Sequence, residues 1–80
     1  MEINMKDNYI TSIIFTKNLC KWIKDGYLHR DRDLPAYIEF YDEGNVKMQI
    51  WYQNGIIYRE GNKPSIITYF KNGSIEKYEW

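Results

Sequence analysis

Eighty residues carry eleven basic and eleven acidic side chains and no formal net charge, which excludes a strongly basic nucleic-acid binder and an acidic mimic of DNA alike. The single cysteine, Cys20, cannot close a disulfide within the chain, and no apolar run is long enough for a membrane span or a signal-peptide core. The size suits one domain or a short array of repeats, and the cytoplasm is the expected location.

Residues 1–7 are polar and aperiodic, a lead into the first strand. Asn8–Phe15 is rich in β-branched and aromatic residues and predicts a strand. Leu19–Lys24 admits two readings. Leu19, Trp22 and Ile23 have helical spacing with Gly26 placed as a C-cap, whereas the register described below predicts a strand, which is the reading adopted. Beyond it the punctuation is regular: Asp25-Gly26, Asn54-Gly55 and Asn72-Gly73 predict tight hairpins, and Glu43-Gly44-Asn45 a weaker one. Between the turns, Ala36, Ile38 and Phe40 alternate with Tyr37, Glu39 and Tyr41; Ser65, Ile67 and Tyr69 alternate with Ile66, Thr68 and Phe70. Pro35 and Pro64 stand at strand starts, and the segments before them read as polar loops.

The second half repeats the first. Gly26, Arg30, Pro35, Ile38, Gly44 and Trp51 recur 29 positions later as Gly55, Arg59, Pro64, Ile67, Gly73 and Trp80. Trp22 lies one further period upstream. The expected fold is therefore all-β: an antiparallel meander of about eight short strands in a single curved sheet. It is built from residues 25–53 and 54–80 as two repeats, with 1–24 as a degenerate N-terminal unit. Both faces of such a sheet carry bulky side chains, so one face must fold onto another part of the sheet, a second copy or a partner.

Gly26-Tyr-Leu-His-Arg with Pro35-Ala36, Tyr41-Asp-Glu-Gly44 and Trp51-Tyr-Gln-Asn-Gly55 resembles the W-Y-x-N-G-x-x-H-R-x-x-x-x-P-A repeats of giant-virus, phage and bacterial proteins. Those are similar in turn to MORN-type β-hairpin repeats and to antitoxin-like YwqK variants. The likeness spans residues 22–80, and Tyr58 and Ser65 depart from it where the pattern has His and Ala. It implies an all-β array that mediates binding, without a shared catalytic activity or cofactor.

The chemistry-bearing residues are few. His29, the only histidine, stands beside Arg30, Asp31 and Asp33, the neighbourhood of a general base. Its repeat equivalent is Tyr58, so packing or surface contact is the expected role. Arg30 and Arg59, each followed by an acid, predict a structural guanidinium laid on an aromatic or paired with that acid, with phosphate binding as the alternative. Asp31, Asp33 and Asp42 lack the ligand number of a Ca²⁺ loop, and one His with one Cys makes no zinc site.

The resulting expectation is a non-enzymatic protein-binding module acting by steric occlusion, with neither metal nor cofactor. About half the chain is Phe, Tyr, Met, Ile, Asn and Lys, the residues of AT-rich codons. With the viral likeness, this points to a phage- or mobile-element-encoded inhibitor of a host defence factor such as a CRISPR nuclease, working in the host cytoplasm. A homodimer is a further expectation. The alternatives are a single-stranded nucleic-acid binder using Trp51, Tyr52, Tyr37, Tyr41, Arg30 and Arg32, an antitoxin-like interaction repeat, and an enzyme centred on His29. The expected contact residues are His29, Arg30, Arg32, Asp33, Tyr37, Glu39, Tyr41 and Trp51, concentrated in the first repeat because the two copies differ most there.

Overall fold

The computed structural model describes residues 10–80. The polar lead and the first two residues of the expected Asn8–Phe15 strand lie outside them. The described chain is all-β, with nine antiparallel strands and no helix: β1 (Ser12–Phe15), β2 (Leu19–Lys24), β3 (Tyr27–Leu28), β4 (Tyr37–Phe40), β5 (Val46–Ile50), β6 (Tyr52–Gln53), β7 (Ile56–Ile57), β8 (Ile66–Tyr69) and β9 (Ile75–Glu79). The main sheet runs β1-β2-β4-β5-β8-β9 with β3 paired to β2, and β6-β7 form a separate hairpin. The single sheet expected from the sequence is thus divided. The run from Val46 breaks at Trp51, after which Tyr52 and Gln53 leave the main sheet to pair with Ile57 and Ile56. Leu19–Lys24 is a strand, held by β1 on one side and β4 on the other.

The 29-residue offset recurs in the strand registers. Leu19↔Glu39, Cys20↔Ile38 and Lys21↔Tyr37 reappear as Met48↔Thr68, Gln49↔Ile67 and Ile50↔Ile66. The β4–β5 hairpin, with its bulge after Glu39, reappears as β8–β9 with a bulge after Thr68. Asp25 and Gly26 at φ 51° and 88° match Asn54 and Gly55 at 51° and 84°. Left-handed backbone at both turn residues belongs to the hairpin turn whose twist suits a twisted sheet, and Asp-Gly and Asn-Gly tolerate it best. The β1–β2 hairpin does not follow this register.

The described chain measures 48 × 30 × 18 Å, and its main sheet is a single layer. Among the described residues the buried apolar side chains are Cys20, Pro35, Ala36 and Trp51, with Cys20, Ala36 and Trp51 at 2, 0 and 6 % exposure. His29 and Ser65 are buried as well, at 3 and 6 % exposure. Burial pushes the Cys20 thiol up from its ordinary pKa, partly offset by the Arg30 charge.

Candidate partner-binding site

Two tryptophans anchor the loops that build the site. The Arg30 guanidinium lies 3.7 Å from the centre of the Trp22 ring, and that of Arg59 lies 3.8 Å from the Trp51 ring. Each arginine also donates to the carbonyl of the proline five residues on, Arg30 to Pro35 at 3.2 Å and Arg59 to Pro64 at 3.0 Å. The backbone repeats the arrangement: His29 N–H donates to the Trp22 carbonyl and Tyr58 N–H to that of Trp51. A planar, weakly hydrated cation on an indole face, tied to a loop carbonyl, clamps the loop to the sheet. The structural reading of Arg30 and Arg59 therefore holds for the ring contact. The pairing with the adjacent acid does not, because Arg59 reaches back to Asp33 instead.

His29 is 3 % exposed, and both ring nitrogens are engaged. Its Nδ1 accepts from the Asn54 backbone N–H at 2.9 Å, so the ring proton sits on Nε2, which donates to Asp31 Oδ1 at 3.0 Å. The ring thus holds the 54–55 turn against the loop that follows β3. Gly55 N–H to the Leu28 carbonyl and Gln53 Nε2 to the Arg30 carbonyl complete the joint.

A cleft of about 440 Å³ opens between the two polar loops. Asp31, Arg32 and Asp33 form one wall, Tyr58, Arg59, Glu60, Gly61 and Lys63 the other, and Trp51 and Gln53 also line it. Asp33 bridges the walls: its Oδ1 accepts from Arg59 Nε at 2.9 Å, and its Oδ2 from Arg59 at 3.3 Å and Lys63 at 2.8 Å. The Arg59 hydrogen bonds, and then that of Lys63, hold the Asp33 carboxyl well below the usual carboxylate range. The Asp33 carbonyl accepts from Trp51 Nε1 at 3.1 Å. Two consecutive non-glycine residues, Arg32 and Asp33, are left-handed, at φ 65° and 58°. The position matching Arg32 is Gly61, at φ 84°, where that backbone is free of strain. Arg32 is exposed and has no hydrogen bond or ion pair among the described residues.

The remaining expected residues lie elsewhere. Tyr37 donates to Glu39 Oε1 at 3.1 Å, and Lys47 pairs with Glu39 at 3.4 Å. Burial and the Glu39 carboxylate raise the Tyr37 pKa. Tyr41 donates to the Tyr69 carbonyl at 2.7 Å, between Lys47 and Lys71 at 5.7 and 5.8 Å from its ring. Glu39 and Tyr41 share a second, smaller cleft with Asn18, Asp42 and Lys71. Of the eight expected contact residues, then, His29 and Trp51 are buried and Arg30 is committed to Trp22; their roles are internal. Arg32, Asp33, Tyr37, Glu39 and Tyr41 remain for a partner, divided between two places. The sequence reading missed Tyr58, Arg59, Glu60 and Lys63 as the opposite wall. The offset that aligns the two loops was the signal for it, had the loops been taken as facing surfaces.

No family model matches the chain, and no curated protein or solved structure matches it.

Proposed function

We propose that this protein is a binding module for another protein, acting by covering part of its partner's surface. One observation carries the reading. Among the described residues four apolar side chains are buried, whereas twelve large ones, including Phe15, Ile56, Tyr58, Tyr78 and Trp80, are exposed. A single sheet layer with so little interior keeps its apolar area for contact with something else. The loop cleft supplies the anchor, with Arg32, unpaired among the described residues, on one wall and the exposed Tyr58 on the other. Arginine and tyrosine are the side chains that most often dominate such interfaces.

The finer version is a phage- or mobile-element-encoded inhibitor of a host nuclease or other defence protein, in a MORN-like or YwqK-like array. It is supported by the composition and by the repeat likeness. Single-strand nucleic-acid binding has less support, because Arg30 and Trp51 spend their stacking surfaces inside the fold. Affinity capture from the native host, followed by titration of the retained protein, tests the reading. Arg32→Ala and Tyr37→Ala should each weaken binding about tenfold or more while the melting temperature stays within a few degrees. Unchanged affinity in both variants refutes the site. Submicromolar binding to single-stranded DNA with a steep salt slope refutes the class.

A further inference from the structure

The outer strand β9 has the pattern of a strand that pairs with itself. The Ser65 N–H donates to the Glu79 carbonyl at 2.8 Å, so Glu79 turns its backbone groups towards β8. Alternation then turns those of Tyr78 and Trp80 outward. One period earlier the equivalent positions are occupied: Trp51 N–H donates to the Ser65 carbonyl, and Gln49 lies opposite Ile67 in the β5–β8 ladder. The outer edge of β9 is therefore the same kind of joint, and among the described residues no strand fills it.

Its side chains select the register. Lys77 and Glu79 share one face, 3.6 Å apart, while Tyr78 and Trp80 share the other with ring centres 6.0 Å apart. An antiparallel twofold centred on Lys77 sets Lys77 against Lys77, and one centred on Glu79 sets Glu79 against Glu79. Directly opposed like charges destabilise a strand pair. A twofold centred on Tyr78 sets Lys77 against Glu79 twice, Tyr78 against Tyr78 and Glu76 against Trp80, with each Trp80 diagonal to the other copy's Tyr78. It also makes Tyr78 opposite Tyr78 a hydrogen-bonded pair, because their N–H and C=O groups face outward.

We propose that two copies of this chain associate edge to edge through β9, about a twofold axis at Tyr78, to form one continuous sheet. The other outer strand among the described residues, β1, with Ile13, Ile14 and Phe15 exposed, could instead meet β9 of another copy. That contact is heterologous and grows into fibres, whereas the twofold closes at two. The joint is five residues long, below the roughly 1,000 Å² of a stable interface, so the association is micromolar or weaker. The surface carrying Arg32 plays no part in it.

Sedimentation equilibrium of the full chain from micromolar to millimolar concentration reads the association directly. The expected result is a monomer–dimer equilibrium without larger species. Lys77→Glu and Glu79→Lys each turn two attractive pairs into repulsive ones and should weaken dimerisation about tenfold. An equimolar mixture of the two variants should recover the parent affinity, because every opposed pair is then complementary. Register is tested separately by Tyr78→Cys. A hydrogen-bonded pair has Cα atoms about 5.5 Å apart, within disulfide range, so mild oxidation should give a covalent dimer, with Lys77→Cys as the poorly cross-linked control. Circular dichroism verifies that these exposed substitutions leave the sheet intact. A chain that stays monomeric to millimolar concentration overturns the proposal. So do charge variants that dimerise like the parent, failure of Tyr78→Cys to cross-link, or association that continues past the dimer.

Discussion

Replacing Arg30 and Arg59 by alanine, separately, tests whether the tryptophan clamps hold the loops. At each site the guanidinium over the indole contributes about 1 kcal/mol, and its hydrogen bond to a proline carbonyl about another. Arg30→Ala should therefore cost about 2 kcal/mol. Arg59 has one further partner, Asp33, whose side chain is 39 % exposed. Solvent screens that pair, which adds at most about 1 kcal/mol. Arg59→Ala should thus cost about 3 kcal/mol. Urea denaturation followed by circular dichroism measures both. In an Asp33→Ala background the cost of Arg59→Ala should fall to that of Arg30→Ala, since only the matched interactions remain. Arg→Lys at either site should recover little, because an ammonium cannot lie flat on the ring while donating to the carbonyl. The reasoning is refuted if either alanine variant costs under about 0.5 kcal/mol, the range of an ordinary surface substitution. It is also refuted if the difference between the sites survives removal of Asp33.

Gly55→Ala should destabilise more than Gly73→Ala by about 1 kcal/mol. Both need positive φ, but only at Gly55 would a Cβ meet a neighbour, Tyr27 Cδ1 at 2.9 Å; chemical denaturation of the pair checks the order. Arg32→Gly should raise stability by about 1 kcal/mol, because it relieves a left-handed residue at φ 65°; a lower melting temperature would show that the Arg32 side chain is held by the fold. The depressed Asp33 carboxyl contributes stability that is fully present above the unfolded value near pH ~4 and is lost as pH falls through the lower folded value. Asp33→Asn should accordingly be less stable than the parent at neutral pH, and their melting temperatures should converge in strong acid.

Turn chemistry and the 29-residue offset made the fold legible. Asp25-Gly26 and Asn54-Gly55 take the backbone their sequences predict, and the strand registers reproduce the offset from Leu19 onward. Trp51 was less legible. A continuous alternation from Val46 through Trp51 gives no sign that the chain leaves the main sheet there, because the break comes from the β6–β7 hairpin and the Tyr58–Trp51 hydrogen bond. The site was half legible for a related reason. Sequence places Arg32 and Asp33 in a loop, but which loop they face depends on the curvature that brings Arg59 and Lys63 to Asp33. His29 and Trp51, which the sequence admits either to packing or to a contact surface, both lie in the interior. A histidine and a tryptophan near charged residues look like contact groups until the Asn54 N–H and the Asp33 carbonyl are seen to claim them.

A difference between the two copies therefore has two distinct causes, and only one of them points to function. His29 and Tyr58 differ because their surroundings differ. The first receives the N–H of a following turn, while the second is 52 % exposed with no such turn beside it among the described residues. The same holds for Trp51 and Trp80: the first is buried under Arg59, and the second is 70 % exposed. These contrasts follow from what each residue packs against among the described residues and do not by themselves make the first copy the contact. Arg32 against Gly61 is another matter. Both residues lie in left-handed backbone in equivalent loops. Glycine adopts it freely, whereas arginine there costs on the order of 1–2 kcal/mol. No hydrogen bond or ion pair of the Arg32 side chain within the described fold offsets that cost. A strained, exposed and unpaired cation on the wall of a cleft is therefore the position at which the fold gains least and a partner would gain most.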